Sequence, residues 1–322
     1  MPDQTVSDEV KQFYTKNPYP AYGTTAKTKA AKAYAKYCMK PGKYLEAGCG
    51  TGHVVAGSAI MMPHLEFHAV DFSEASLNIA IEVAKANNVN IQFKTANLMN
   101  PLPFDFKFDY ISCVGVLHHL ENPEQGLANL ANQLSEDGYM FIHVYGEDYH
   151  RRRYQINEML DLMTGGRVAD KERFRLFQAY DKHEKKLRRG SLLRRIARLS
   201  MRDVILGIRS KIKSRNLYDS ETLQAWDAAW EDPNVSERWL DQFAHPNERS
   251  YNLKELSELL NGAGLELVEA FSLGRSDPRL VPPEWSDHLS TLDINTRSRL
   301  MELLNPRPTS PFVAARRNIT TT

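Results

Sequence analysis

The sequence predicts an α/β fold: a doubly wound, mainly parallel sheet of about seven strands, interrupted by an inserted helical segment. Three observations point there. Short apolar runs alternate with amphipathic stretches from residue 43 to 145, the rhythm of βα units whose crossovers lay helices on both faces of a sheet. The first run ends in Glu46-Ala47-Gly48-Cys49-Gly50-Thr51-Gly52, with glycines at alternate positions where a strand turns toward a helix and a ligand can approach the main chain. After residue 250 the alternation resumes, following a long charged stretch that breaks it.

In chain order, Ser7-Asp8-Glu9 opens a helix carrying Val10, Phe13 and Tyr14 at helical spacing. Asn17-Pro18-Tyr19-Pro20-Ala21-Tyr22-Gly23 stops it in an extended aromatic loop, placed to fold over the mouth of a ligand site. The Ala- and Lys-rich segment 25–40 reads as one helix with a solvated lysine face. Strands are expected at 43–47, 65–71, 90–95, 108–114 and 139–145, with helices after Thr51, after Ser73 as N-cap, and over 124–134. A helix at 253–261, a strand at 264–271, a helix at 296–304 and a strand at 311–316 complete the sheet. The division is then N-terminal helices and aromatic loop at 1–42, a core of 43–146 and 251–317, a helical cap at 147–250 and a flexible tail at 318–322.

Hydrophobic content of 42% and charged content of 25% suit a soluble globular protein. The net charge of +1 hides a basic tract over 182–215, which includes Arg188, Arg189, Arg194 and Arg195. Cys38, Cys49 and Cys113 are odd in number and lack C-x-x-C spacing, against a disulfide framework and against a zinc site. A start without an apolar signal core and the lack of a membrane-length apolar run predict a cytoplasmic protein with no transmembrane segment and no metal.

Two nucleotide readings of the glycine turn separate on one residue. The dinucleotide fingerprint G-x-G-x-x-G needs its third glycine where this chain has His53. Glu46 suits a cationic ligand better than a pyrophosphate. The stretch resembles motif I, E/D-x-G-x-G-x-G, of the class I S-adenosylmethionine-dependent methyltransferases. Asp71-Phe72-Ser73-Glu74-Ala75-Ser76-Leu77 is similar to the segment that holds the cofactor ribose in that family, with Phe72 flanking the adenine. Asn97, followed by Leu98, stands where the family more often has an aspartate for the adenine amino group; its amide oxygen accepts the same bond. The run from Phe108 to Leu120, ending Val116-Leu117-His118-His119-Leu120, resembles the fourth strand and exit of small-molecule members. That resemblance lays Val114 and Gly115 along the methionine part of the cofactor and both histidines near its methyl group.

What the resemblance implies is a Rossmann-like methyltransferase core that uses S-adenosyl-L-methionine and moves its methyl group to an O, N, S or C nucleophile. The expected cofactor residues are Glu46, Gly48, Cys49, Gly50, Gly52, Asp71, Phe72, Asn97, Leu98, Val114 and Gly115. His119 is the candidate base. Tyr14, Tyr19, Tyr22, His118, Tyr145, His245 and Tyr251 are candidate contacts to a small or medium-sized organic acceptor enclosed by the cap. DNA-amine methylation is disfavoured, because an Asn/Asp-Pro-Pro-Tyr-like motif is missing after the fourth strand; cytosine C5 chemistry is disfavoured, because Cys113 follows Ser112 rather than a proline. The alternatives are an RNA methyltransferase that uses the basic cap for phosphates, and a cofactor-binding regulatory or scaffold protein without turnover.

Overall fold

The structure is a computed structural model and describes residues 6–20, 22–164, 176–177, 179–180, 183, 245–273, 285–304 and 310–318. The chain divides into two compact units, one formed by Met1–Arg151 with His245–Thr322 and the other by Arg152–Ala244. Most of the expected cap, including the basic tract 182–215, lies outside the described residues. Of the second unit the principal described element is the remainder of helix α6 (Glu147–Thr164), where the Arg153 guanidinium lies over the Tyr154 ring at 5.1 Å.

The first unit is built on a seven-stranded sheet of order β3-β2-β1-β4-β5-β7-β6. Its strands are β1 (Lys43–Ala47), β2 (Glu66–Asp71), β3 (Ile91–Thr95), β4 (Phe108–Val114), β5 (Leu134–His143), β6 (Leu265–Ala270) and β7 (Phe312–Arg317). The first five run parallel; β7 is antiparallel to both β5 and β6. Because both faces are covered, β1, β2 and β4 read as nearly unbroken buried runs rather than alternating ones. One face packs Leu45, Ile111, Met140 and Val313 around Leu127, Leu130 and Leu256; the other packs Tyr44, Phe67, Tyr110 and Phe141 around Tyr34 and Val55. Tyr34 and Phe141 stack at 4.3 Å with rings 10° apart.

The helices begin where the sequence supplies caps. Ser73 Oγ accepts the Ser76 N–H to start α4 (Glu74–Ala86), and Asn122 accepts the Gln125 N–H ahead of Pro123 to start α5 (Pro123–Gln133). Asn252 and Glu255 form a reciprocal capping box at the start of α7 (Leu253–Gly262). Helices α8 (Ser286–Thr291) and α9 (Ile294–Leu304) precede β7.

Two expectations need correction. The segment 25–40 is helical only at α2 (Lys29–Tyr34) and a following 3-10 turn, Ala35–Tyr37. Its first residues are committed elsewhere: Thr25 O receives His53 Nδ1 at 2.8 Å and Lys27 N–H donates to His53 O at 2.8 Å, so they lie along α3 (His53–Met61). Strand β5 begins at Leu134 rather than 139, directly after α5, and absorbs the early start through a register shift opposite Phe108 and Tyr110.

Candidate functional site

In open α/β sheets the strand order reverses at a switch point, and ligands bind beyond the carboxyl ends of the strands there. Here that point lies between β1 and β4. The turn leaving β1 holds Gly48, Gly50 and Gly52 at φ +71°, +51° and +81°, a region costly for side-chain-bearing residues. A Cβ on Gly50 would stand 2.5 Å from the carbonyl oxygen of Tyr19, and one on Gly52 would meet Ala80 Cβ at 2.7 Å. The glycines therefore serve close backbone packing as well as turn geometry. The N–H groups of Gly48 and Cys49 donate to Val70 O at 2.8 and 2.9 Å, tying the turn to the end of β2.

Asp71 completes this junction. Its carboxylate, 7% exposed, accepts the Gly50 N–H at 2.8 Å and the Ser73 N–H at 2.9 Å. Burial raises its pKa, and these backbone donors counter the shift. A carboxylate has about four lone-pair sites, so two oxygens already bonded to N–H groups still accept from ligand hydroxyls. Phe72 is half-buried, with its ring 6.4 Å from that of Tyr14. At the end of β4, Gly115 has φ +77° and faces open space, since a Cβ there would meet nothing within 4 Å; its N–H donates to His143 O. Val114 is the last residue of β4.

Glu46 sits beneath the turn. It is 2% exposed and receives Tyr44 Oη at 3.0 Å and Ser112 Oγ at 3.1 Å; Tyr44 is joined in turn to Tyr34 at 2.8 Å, and Tyr34 to Ser58 at 2.9 Å. Burial pushes the Glu46 carboxyl up to about 8, against the pull of the two hydroxyls. The neighbouring Cys49 thiol is held well above its ordinary range, by burial first and then by Asp71 and Glu46, so it stays protonated. Asn97 is engaged on both sides, donating to Ser7 Oγ at 3.2 Å and accepting the Met99 N–H at 3.0 Å. Leu98 is buried, and its carbonyl takes the Asn129 amide.

The N-terminal segment lies across these strand ends. Helix α1 (Val6–Lys16) reaches three of the loops that follow strands: Ser7 touches Asn97 and Glu121, and the Tyr14 carbonyl accepts Ser73 Oγ at 3.4 Å. The loop after it seats on the glycine turn, Thr51 Oγ1 donating to Pro20 O at 2.6 Å.

Beyond β4 and β5 an aromatic cluster forms. His119 stacks on His245 at 3.8 Å and adjoins His118 at 4.1 Å; His118 lies 3.9 Å from the Tyr145 ring. Tyr14 faces both His119 and His245, at 6.4 and 5.5 Å. The fold thus gathers Tyr14, His118, His119, Tyr145 and His245 from four distant parts of the chain. It does not bring the remaining candidates there. Tyr22 packs on His53 with Lys27 over its ring, and Tyr19 meets the glycine turn through its carbonyl. Tyr251 pairs with Gly146 and lines a separate acidic cavity of about 430 Å³ with Glu124, Glu255 and Glu258. Sequence reading missed Phe13, whose ring lies 5.2 Å from His245, and Asn247, which bonds the 119–120 backbone; neither belongs to a motif. Helical spacing of Phe13 beside Tyr14 was the available signal for the first. Among the described residues no group of three or more His, Cys, Asp or Glu is arranged to hold a metal, and no helix is long and apolar enough to cross a membrane.

Comparison with known proteins matches residues 22–181 to a family described as "Methyltransferase domain". An uncharacterized protein of Synechococcus sp. is 31% identical over 272 residues, covering 83% of this chain and 58% of that protein. Malonyl-[acyl-carrier protein] O-methyltransferase of Bacillus cereus is 32% identical over 106 residues, covering 33% of this chain and 38% of that protein. Among solved structures, PKMT2 from Rickettsia typhi in complex with AdoHcy aligns with a TM-score of 0.60 at 17% identity, over 93% of this chain and 55% of that one, a likeness of fold. The chain spans less than two thirds of the length of each of these relatives.

Proposed function

Because residues 22–181 match a methyltransferase domain, we propose that the chain is a class I S-adenosylmethionine-dependent methyltransferase that binds S-adenosyl-L-methionine at the junction of β1, β2 and β4 and methylates an organic acceptor. The observation that carries this reading is the Asp71 carboxylate bonded to the Gly50 N–H at 2.8 Å, which joins the glycine turn and the expected ribose acceptor into one rigid cradle at the switch point. The open space over Gly115 leaves room for a ligand on the β4 side of that cradle.

In this reading Gly48, Cys49, Gly50 and Gly52 offer close main-chain approach and Asp71 accepts the ribose hydroxyls. Phe72, Asn97 and Leu98 border the adenine, and Val114 and Gly115 the methionine part. Glu46 supports the turn from below. The cofactor, when bound, supplies an electrophilic methyl group on a cationic sulfur. The chain's own work is then alignment and exclusion of water, with a base needed only for a nucleophile that arrives protonated. His119 holds the place for that base. His118, His245, Tyr14 and Tyr145 surround it with flat, polar-edged surfaces suited to an organic acceptor of small or medium size, and the 147–250 insertion is the element expected to enclose it.

The test is transfer of tritium from methyl-labelled cofactor to a panel of hydroxy, carboxy, amino and thiol compounds, with RNA as a separate arm. Label in a small compound supports the reading. Label in RNA alone overturns the acceptor class, and tight cofactor binding without transfer to any arm favours a scaffold.

A further inference from the structure

One stripe of helix α7 lines a hollow in the first unit. Glu255, Glu258, Leu259, Gly262 and, just past the helix end, Ala263 recur at intervals of three and four residues, so they share a face, and all five line the cavity of about 430 Å³. The stripe is acidic toward its start and apolar toward its end. Glu124, in the first turn of α5, adds a third carboxylate to the lining. A Cβ on Gly262 would meet nothing within 4 Å, so the space continues over that glycine. The three carboxylates are exposed, whereas Tyr251, which completes the lining, is only 8% exposed. Its backbone is fixed, the N–H donating to Tyr145 O at 2.8 Å and the carbonyl accepting the Glu147 N–H at 3.2 Å. Its hydroxyl oxygen is buried and makes no hydrogen bond, a costly state that a ligand or a water relieves. Burial is the first cause raising the pKa of this hydroxyl; Arg249 draws it down, and Glu124 and Glu255 push it up. Arg249 acts on the hydroxyl by its charge, with no hydrogen bond of ordinary geometry between them.

Charge and shape together select the ligand. Lys254 reaches Glu258 only at 3.7 Å, between two exposed side chains, which makes a weak pair. Glu255 spends one oxygen on the Asn252 N–H and keeps the other. Three carboxylates against Lys254 and Arg249 leave an excess of negative charge, which favours a cation. Among the described residues no group of three or more His, Cys, Asp or Glu is arranged to hold a metal, so the cation that fits is organic. We propose that this cavity binds a linear aliphatic polyamine, its ammonium groups on Glu124, Glu255 and Glu258, one ammonium N–H donating to Tyr251 Oη, and its methylenes lying on Leu259 and Ala263. A pocket of this size with an apolar floor and a few polar groups is of the kind that holds small molecules. The lining shares no residue with the junction of β1, β2 and β4, and the inference stands apart from the methyltransferase reading.

The test is calorimetric titration of the full chain with spermidine at about 0.15 M salt, where loose surface attraction is screened, with magnesium chloride as a parallel titrant. The unsubstituted chain should bind spermidine saturably and one-to-one, and magnesium at least tenfold more weakly. Gly262→Leu fills the cavity from a position whose Cβ displaces nothing, and should abolish binding. Tyr251→Phe removes one hydrogen bond to a charged group and should weaken binding about tenfold, while leaving the melting temperature unchanged, because the hydroxyl has no partner in the fold to lose. Glu124→Gln and Glu258→Gln should each weaken it as well. No saturable binding by the unsubstituted chain overturns the inference and leaves the hydroxyl to water. Magnesium bound as tightly as spermidine overturns it too, as does spermidine binding that survives both Gly262→Leu and Tyr251→Phe in chains of unchanged circular dichroism.

Discussion

Replacing Glu46 with glutamine isolates the strongly perturbed acid under the glycine turn. Burial drives its carboxyl from an ordinary 4.5 up to about 8, with the Tyr44 and Ser112 hydroxyls opposing the shift. Between those values the folded chain holds a proton that the unfolded chain has released. Stability from this group is therefore fully present below about pH 4.5 and is lost as pH rises toward 8. The window of about 3.5 pH units, at about 1.4 kcal/mol per unit, makes the loss about 5 kcal/mol at its fullest. Glutamine keeps the shape, accepts from one hydroxyl, donates to the other and does not ionise. The unfolding free energies of the two chains should then lie within about 1 kcal/mol of each other near pH 5, and diverge in favour of Glu46→Gln by several kcal/mol above pH 8. Urea unfolding followed by circular dichroism across this range reads the difference. Comparing the two chains in the same buffers cancels other titrations, notably His143, which burial holds down at about 4 and whose stability slope has the opposite sign below 6.5. Parallel curves from pH 5 to 9 would refute the reasoning and mean that the carboxyl is ionised at an ordinary pKa.

Gly50→Ala should weaken S-adenosylhomocysteine binding at least tenfold, since it adds about 1–2 kcal/mol of left-handed strain and drives a Cβ against the Tyr19 carbonyl; calorimetry showing an unchanged dissociation constant speaks against it. Asp71→Ala strips the acceptor from the Gly50 and Ser73 N–H groups, at about 1–3 kcal/mol each, and should lower both the melting temperature and ligand affinity, whereas Asp71→Asn should retain part of each. Gly57→Ala should destabilise the fold despite a gain of about 1 kcal/mol in helix propensity, because the new methyl would overlap the Lys27 carbonyl and stand 2.9 Å from Thr28 N; a raised melting temperature would show that residues 27 and 28 move aside freely.

The sheet was legible because its signals are local. Strands 43–47 and 108–114 coincide with β1 and β4, since a buried parallel strand is an apolar run bounded by turn residues. Ser73 declared a helix start in the same local way. The departures come from distant partners. Propensity made 25–40 a single helix, but His53 claims the backbone of Thr25 and Lys27. Charge alone suited Glu46 to a cation, while Tyr44 and Ser112 enclose it in a hydroxyl network that depends on strand pairing. The site divides along the same line. The glycine turn and Asp71 lie within one βαβ unit and announce themselves by spacing. His245 and Asn247 meet His119 across more than a hundred residues, and no motif links them.

The central claim is that the turn joined to Asp71 holds S-adenosylmethionine. Equilibrium titration of the full chain with S-adenosylhomocysteine, and in parallel with NAD, tests it most directly. The account predicts saturable one-to-one binding of the first, lost in Asp71→Ala, and none of the second. Binding of NAD in place of S-adenosylhomocysteine, or binding of S-adenosylhomocysteine that Asp71→Ala leaves intact, would contradict it.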